Sequence, residues 1–233
     1  MSIKPLKAYG EGGPNPPKVI MILKELGLPF EIVEIGFNDV KKPEYTAINP
    51  NGRLPALYDP NTDLTIWESG AIVQYLVETY DKNHKISYPK GTNESFLTQQ
   101  WLFFQVSGQG PYYGQAIVFS RYHTEKVPSA VDRYIKEANR VTGVLESVLS
   151  KKEAGSNGPW LVGDKCTYAD ISFVMWQVSI VRSFSDRETV IDYANYPTVK
   201  TWLDKLLARP AVKEAIDIAT AAYAKHVAAT QNK

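Results

Sequence analysis

The order of the first four apolar segments constrains this chain more than any other feature. Leu6-Lys7-Ala8-Tyr9 is a short strand candidate, ended by the glycine- and proline-rich stretch Gly10 to Pro17. Val19, Ile20, Ile22, Leu23 and Leu26 then recur at helical spacing, with Pro16 or Pro17 suited to the first turn and Gly27 a stop signal. Phe30 to Ile35 reads as a second strand from its β-branched and aromatic content. Strand, helix, strand favours a right-handed parallel crossover, so the chain opens as an α/β domain. After the polar stretch Asn38 to Pro50, Ala56-Leu57-Tyr58 and Leu64-Thr65-Ile66-Trp67 flank the turn Asp59 to Asp63 and predict a hairpin. From Glu68, Ile72, Val73, Leu76, Val77 and Tyr80 return to helical spacing and close a unit over residues 1–81 whose order is βαβ then ββα.

Asp81 to Asn93 is polar and aperiodic, which predicts a linker over residues 82–93 and an all-helical domain over 94–233. Its segments are an aromatic-rich stretch from Glu94 to about Arg121, a helix after Pro128, a loop from Gly155 to Gly163, and helices over Ala169 to Val181, Pro197 to Leu207 and Ala211 to about Ala224. Thr167-Tyr168-Ala169-Asp170 fits a T-x-x-D capping box, with Cys166 and Ile171 at the hydrophobic-staple positions. Nothing near Cys166 would lower its pKa, so it reads as a packed small hydrophobe.

Charge narrows the partners. Lys plus Arg is 26 and Asp plus Glu is 25, a net +1 over 233 residues. No basic surplus exists for a phosphate backbone or an anionic bilayer, so neither nucleic acid nor membrane is expected as a partner. One cysteine cannot form an internal disulfide, and no CxxC or Cys/His cluster exists to hold a metal, so none is expected. Met1 to Gly13 lacks the apolar run of a signal peptide, and Val19 to Leu23 is far short of the about 20 residues that span a bilayer. A reducing, cytoplasmic location is expected.

Three segments of the first unit can carry chemistry. In Asn49-Pro50-Asn51-Gly52-Arg53-Leu54-Pro55-Ala56-Leu57, Pro55 opens a short strand where an X-Pro bond can be cis. Leu54 can then offer its N–H and C=O to a peptide-like ligand, or the segment is simply a turn before an edge strand. In Trp67-Glu68-Ser69-Gly70-Ala71 a strand runs into a helix, where free amides and the Ser69 hydroxyl suit a carboxylate and Glu68 suits an ammonium group. The same residues also fit a helix cap. In Gly12-Gly13-Pro14-Asn15-Pro16-Pro17, Asn15 either caps the helix or points its amide at a ligand above the helix N-terminus.

Taken together, these residues resemble the cytosolic glutathione S-transferases, over nearly the whole chain. The closest resemblance is to the fungal branch that contains the yeast nitrogen-regulator and prion protein, with the bacterial nu class next. It rests on the motifs above and on Trp101-Leu102-Phe103-Phe104-Gln105, Ser107 to Ala116 and Trp160-Leu161-Val162-Gly163-Asp164-Lys165. The resemblance implies a thioredoxin-like N-terminal domain followed by a C-terminal helical bundle, and glutathione as co-substrate. Glu68 and Ser69 match the pair that binds the γ-glutamyl ammonium and carboxylate. Leu54 and Pro55 match the residue and cis-proline that pair with the cysteinyl backbone, and Arg53 a neighbouring contact. Lys41 or Lys42 is a candidate for the glycyl carboxylate. Asn15 matches the asparagine near the glutathione sulfur. The nu class has a threonine two residues earlier, where this chain has Gly13.

With no Tyr, Ser or Cys in that loop, the nucleophile is then the thiol of glutathione itself, activated for conjugation to electrophiles or for disulfide or peroxide reduction. A co-substrate pocket is expected between the domains from Phe104, Gly108, Tyr112, Tyr113, Phe119 and Arg133, with the helical core, or for Arg133 an ion pair with Asp132 or Glu137, as the structural alternative. Homodimers are implied. The competing expectation is a catalytically weak glutathione-binding regulator acting through protein partners. Against that, the yeast regulator carries a long Asn/Gln-rich N-terminal region, whereas this chain reaches its first strand within about six residues.

Overall fold

The computed structural model describes residues 2–152, 158–184 and 190–231. They form two compact units, residues 1–85 with 209–233, and residues 86–208.

The first unit holds β1 (Leu6–Tyr9), α1 (Asn15–Glu25), β2 (Phe30–Val33), α2 (Pro43–Thr46), β3 (Ala56–Asp59), β4 (Leu64–Trp67), α3 (Ser69–Tyr80) and, from the far end of the sequence, α9 (Pro210–Gln231). Its sheet has the order β2-β1-β3-β4, with β1 and β2 parallel and the other pairs antiparallel. β2 stops at Val33, short of the expected Ile35, because Val33 lies opposite Tyr9, the last residue of its partner strand. The single-turn helix α2 lies within the stretch read only as polar, since four residues opened by Pro43 are too few to show a period.

Helix α1 is buried on nearly every side, from Pro16 to Leu23, because β1, α3 and α9 all pack against it. Each fully buried Val, Ile or Leu there contributes about 1.5–3 kcal/mol. Glu25 closes the helix at 5% exposure, gripped by Arg209 through Nε to Oε1 at 2.6 Å and Nη2 to Oε2 at 2.8 Å. Burial pushes the Glu25 carboxyl up, but the Arg209 guanidinium outweighs it and holds the group below the usual carboxylate range. This pin and the Lys24–Glu214 pair tie the residues from 209 onward to the first unit, where the sequence pattern had placed them with the helical domain.

In the second unit, α4 (Asn93–Phe104) and α5 (Gly110–Ile117) are joined by a π-helical stretch over Gln105–Gln109, and α5 runs into another over Val118–Tyr122. α6 (Pro128–Leu149), α7 (Tyr168–Ser183) and α8 (Pro197–Leu207) complete it. A Cβ on Gly114 would stand 3.2 Å from the Trp176 ring, so glycine lets α5 approach α7 this closely. The Thr167–Asp170 capping box opens α7, and Asp170 also accepts from the Leu161 N–H and the Trp202 Nε1–H, both at 2.9 Å. Cys166 is buried. Of the expected loop from Gly155 to Gly163, residues 155–157 lie outside the described residues. Among the described residues no helix is long and apolar enough to cross a membrane, and no His, Cys, Asp and Glu side chains cluster to hold a metal ion.

Candidate functional site

A small cleft of about 90 Å³ in the first unit is lined by Asn15, Asn49, Asn51, Arg53, Leu54, Pro55, Glu68 and Ser69. Three junctions supply it: the N-terminus of α1, the loop into β3, and the turn from β4 into α3. Asn15 is the first residue of α1, with Pro14 at the capping position and no side-chain cap bond there. Ser69 likewise opens α3. The positive ends of an 11- and a 12-residue helix therefore meet at one cleft.

The loop before β3 is braced from inside. Asn49, buried, donates from Nδ2 to the Arg53 carbonyl at 2.6 Å and accepts the Asn51 N–H at Oδ1 at 3.0 Å. The Tyr45 hydroxyl donates to the same Arg53 carbonyl at 2.8 Å. Gly52 sits at φ +58°, and a Cβ there would meet the Val40 carbonyl at 2.7 Å, so no other residue fits. The Leu54–Pro55 peptide bond is cis. β3 begins at Ala56, which leaves Leu54 beside the cleft and ahead of the ladder.

At the β4–α3 turn, Glu68 has φ 71° and ψ 114°, a conformation that costs a non-glycine residue about 1–3 kcal/mol. Its side chain is exposed, and Oε1 accepts from Asn51 Nδ2 at 3.5 Å. Ser69 Oγ is buried and accepts a hydrogen bond from Lys18 Nζ at 2.9 Å. Lys18 is fully enclosed, and burial pulls its pKa down to about 7, partly opposed by the negative charge of Glu68.

The structure thus brings together Asn15, Arg53, Leu54, Pro55, Glu68 and Ser69. Lys41 stands outside the cleft lining and donates to the Asn51 carbonyl at 2.9 Å, while Lys42 pairs with Asp39 at 2.6 Å. Asn49 and Asn51 belong to the site as well, and their signal was the Asn-x-Asn-Gly turn chemistry. Lys18 left no sequence signal, because its burial is decided by helices remote in the chain. In the second unit, Tyr113 is a core residue, fully enclosed and hydrogen-bonded through its hydroxyl to Thr142 Oγ1 at 2.8 Å and Gln177 Nε2 at 3.2 Å. Tyr112 and Phe119 flank the Tyr134 ring, at 6.3 and 5.7 Å between centroids. Arg133 is exposed on α6, and Glu137 pairs with Arg140.

A mixed sheet with this crossover and this cis-proline, followed by an all-helical unit, defines a thioredoxin-like domain joined to a helical bundle. Residues 4–78 match the family model of the glutathione S-transferase N-terminal domain and residues 114–217 that of the C-terminal domain, and the chain belongs to the glutathione S-transferase family. Within that family the likeness is to fungal, Ure2-like members. The chain is 58% identical over 214 residues to the glutathione S-transferase-like protein tpcF of Aspergillus fumigatus, covering 91% of this chain and 95% of that one. The glutathione transferase URE2P8 of Phanerochaete chrysosporium, solved with oxidized glutathione, superposes with a TM-score of 0.86 at 42% identity over 96% of this chain and 98% of that one. Ure2p in complex with glutathione gives a TM-score of 0.83 at 35% identity over 92% and 95% of the two chains.

Proposed function

We propose that the cleft binds glutathione and that the protein is a glutathione transferase acting on the bound thiol, with disulfide reduction as its favoured chemistry. One observation carries this: Asn15, Leu54, Glu68 and Ser69 line a single cleft where two helix N-termini converge. Glu68 offers a carboxylate for the γ-glutamyl ammonium, and Ser69 with the α3 amides offers donors for its carboxylate. Leu54 presents peptide groups to the cysteinyl backbone, and Arg53 or Lys41 supplies the cation for the glycyl carboxylate. The Asn15 amide and the α1 N-terminus favour the thiolate over the thiol, whose free pKa is about 8.5.

That thiolate adds to an electrophile, or it attacks a disulfide, forming one S–S bond as another breaks and releasing a thiolate that takes a proton. A second glutathione then displaces the remaining thiol and leaves oxidised glutathione. The structures similar to this chain that hold glutathione or its oxidised form support this choice of ligand. Tyr112, Phe119 and Arg133 are the candidates for contact with the co-substrate, and α4 is the candidate face for a homodimer.

The test is steady-state turnover of hydroxyethyl disulfide and of chlorodinitrobenzene with glutathione. Disulfide turnover should exceed conjugation and fall about tenfold in Asn15→Ala, the loss of one hydrogen bond to a charged sulfur. Absence of turnover with glutathione binding retained would move the reading to a glutathione-responsive regulator, which the likeness to Ure2p favours.

A further inference from the structure

Beneath the cleft, the Ser69 hydroxyl is shared with a buried cation. Lys18, one turn into α1, is 1% exposed, and its Nζ donates to Ser69 Oγ at 2.9 Å. An ammonium group has three donors and no acceptor, so it fills a lone pair of Oγ and leaves the hydroxyl proton to be given elsewhere. A neutral amine can instead accept that proton and turn it away from the cleft. Burial brings Lys18 down to about 7, so a further negative charge nearby tips it fully to the ammonium form.

We propose that Lys18 is a positioning residue for ligand recognition: through Ser69 it aims a hydroxyl proton, backed by a positive charge, at the α-carboxylate of the γ-glutamyl head group. Resting on the glutathione reading of the cleft, this assigns a role to a residue that does not line it. Glu68 and Lys18 then divide the zwitterionic head between them, one charge matched at the surface and the other from within.

The experiment is calorimetry with glutathione and with 4-aminobutyryl-cysteinyl-glycine, the same tripeptide lacking the α-carboxylate, on the wild type, Lys18→Met, Lys18→Gln, Ser69→Ala and the Lys18→Met, Ser69→Ala double variant. Lys18→Met should weaken glutathione about tenfold or more and the analogue by less than about twofold. Lys18→Gln, which keeps a donor, should recover part of the loss, and the double variant should be little worse than Ser69→Ala. Equal weakening of both ligands, or full additivity of the two substitutions, overturns the proposal. Failure of the wild type to bind glutathione overturns the reading of the cleft itself. Should the Lys18 variants not fold, ¹³C-lysine NMR of the wild type decides: the lysine Cε resonance that titrates near neutral pH should move with glutathione and stay with the analogue. Equal movement with both overturns the proposal.

Discussion

Glu68 holds its carboxylate on a backbone at φ 71°, a conformation uncommon for a non-glycine residue, at the turn from β4 into α3. Glu68→Gln keeps the shape and removes the charge, so glutathione affinity should fall about tenfold by calorimetry while the melting temperature stays near the wild type. Lys18 gives a pH signature. Its folded pKa, about 7, lies below the free value of 10.5, so between them the unfolded chain holds a proton that the folded chain has shed. Stability therefore rises with pH across this window, by up to about 1.4 kcal/mol per unit, and the penalty of the buried charge is fully present below it. Urea unfolding at pH 6.5 and pH 9.5 should show this rise in the wild type and not in Lys18→Met. Asn15, Leu54 and Glu68 were legible as candidates because each sits where a loop meets a helix or strand, and such junctions announce themselves in proline, glycine and polar residues. A lysine at the head of an apolar run announces nothing until the packing around α1 is known.

At the scale of elements, short-range pattern was enough for most of the fold. The βαβ and hairpin order, the start of α6, the α8 boundaries and the capping box of α7 all follow from residues within a few positions of one another. The allegiance of α9 does not, since the Glu25–Arg209 pin joins residues 184 positions apart. Its energetics are nonetheless sharp. Arg209→Leu would leave Glu25 charged and 5% exposed with only the Lys85 ammonium, at 3.5 Å, in place of the two-bond guanidinium grip, and should cost about 1.5–3 kcal/mol, read as a lower urea midpoint at neutral pH. The deficit should shrink on acidification. The wild-type carboxyl is held below its free value of 4.5, so the stability it contributes is complete above that pH and is lost as pH falls through the folded pKa. A deficit that stays constant down to strongly acid pH would show that the pin contributes packing rather than charge pairing.

At the scale of the whole molecule, one face of α4 stands out. Phe96 and Phe103, seven residues and so two turns apart, are 60% and 57% exposed, and Leu97 adjoins Phe96. An aromatic side chain buries about 150–250 Å² when fully covered, so the exposed fractions of these two supply on the order of a quarter to a third of the about 800 Å² that each partner contributes to a stable interface. Thr92 caps this helix by accepting the Ser95 N–H at 3.2 Å, and exposed apolar side chains grouped on one face of an ordered helix are the kind of patch that suits an interface. Net charge of +1 puts little repulsion between two copies. Wild-type protein should therefore sediment at twice the chain mass at micromolar concentration. Phe96→Lys combined with Phe103→Lys should sediment as a monomer while retaining its helical circular dichroism, because the substituted side chains face away from the core. Since the cleft is built within one unit of one chain, the monomeric variant should bind glutathione with affinity within about threefold of the wild type. A dimer that survives both substitutions places the interface elsewhere, and loss of binding together with the dimer would make a second copy part of the site.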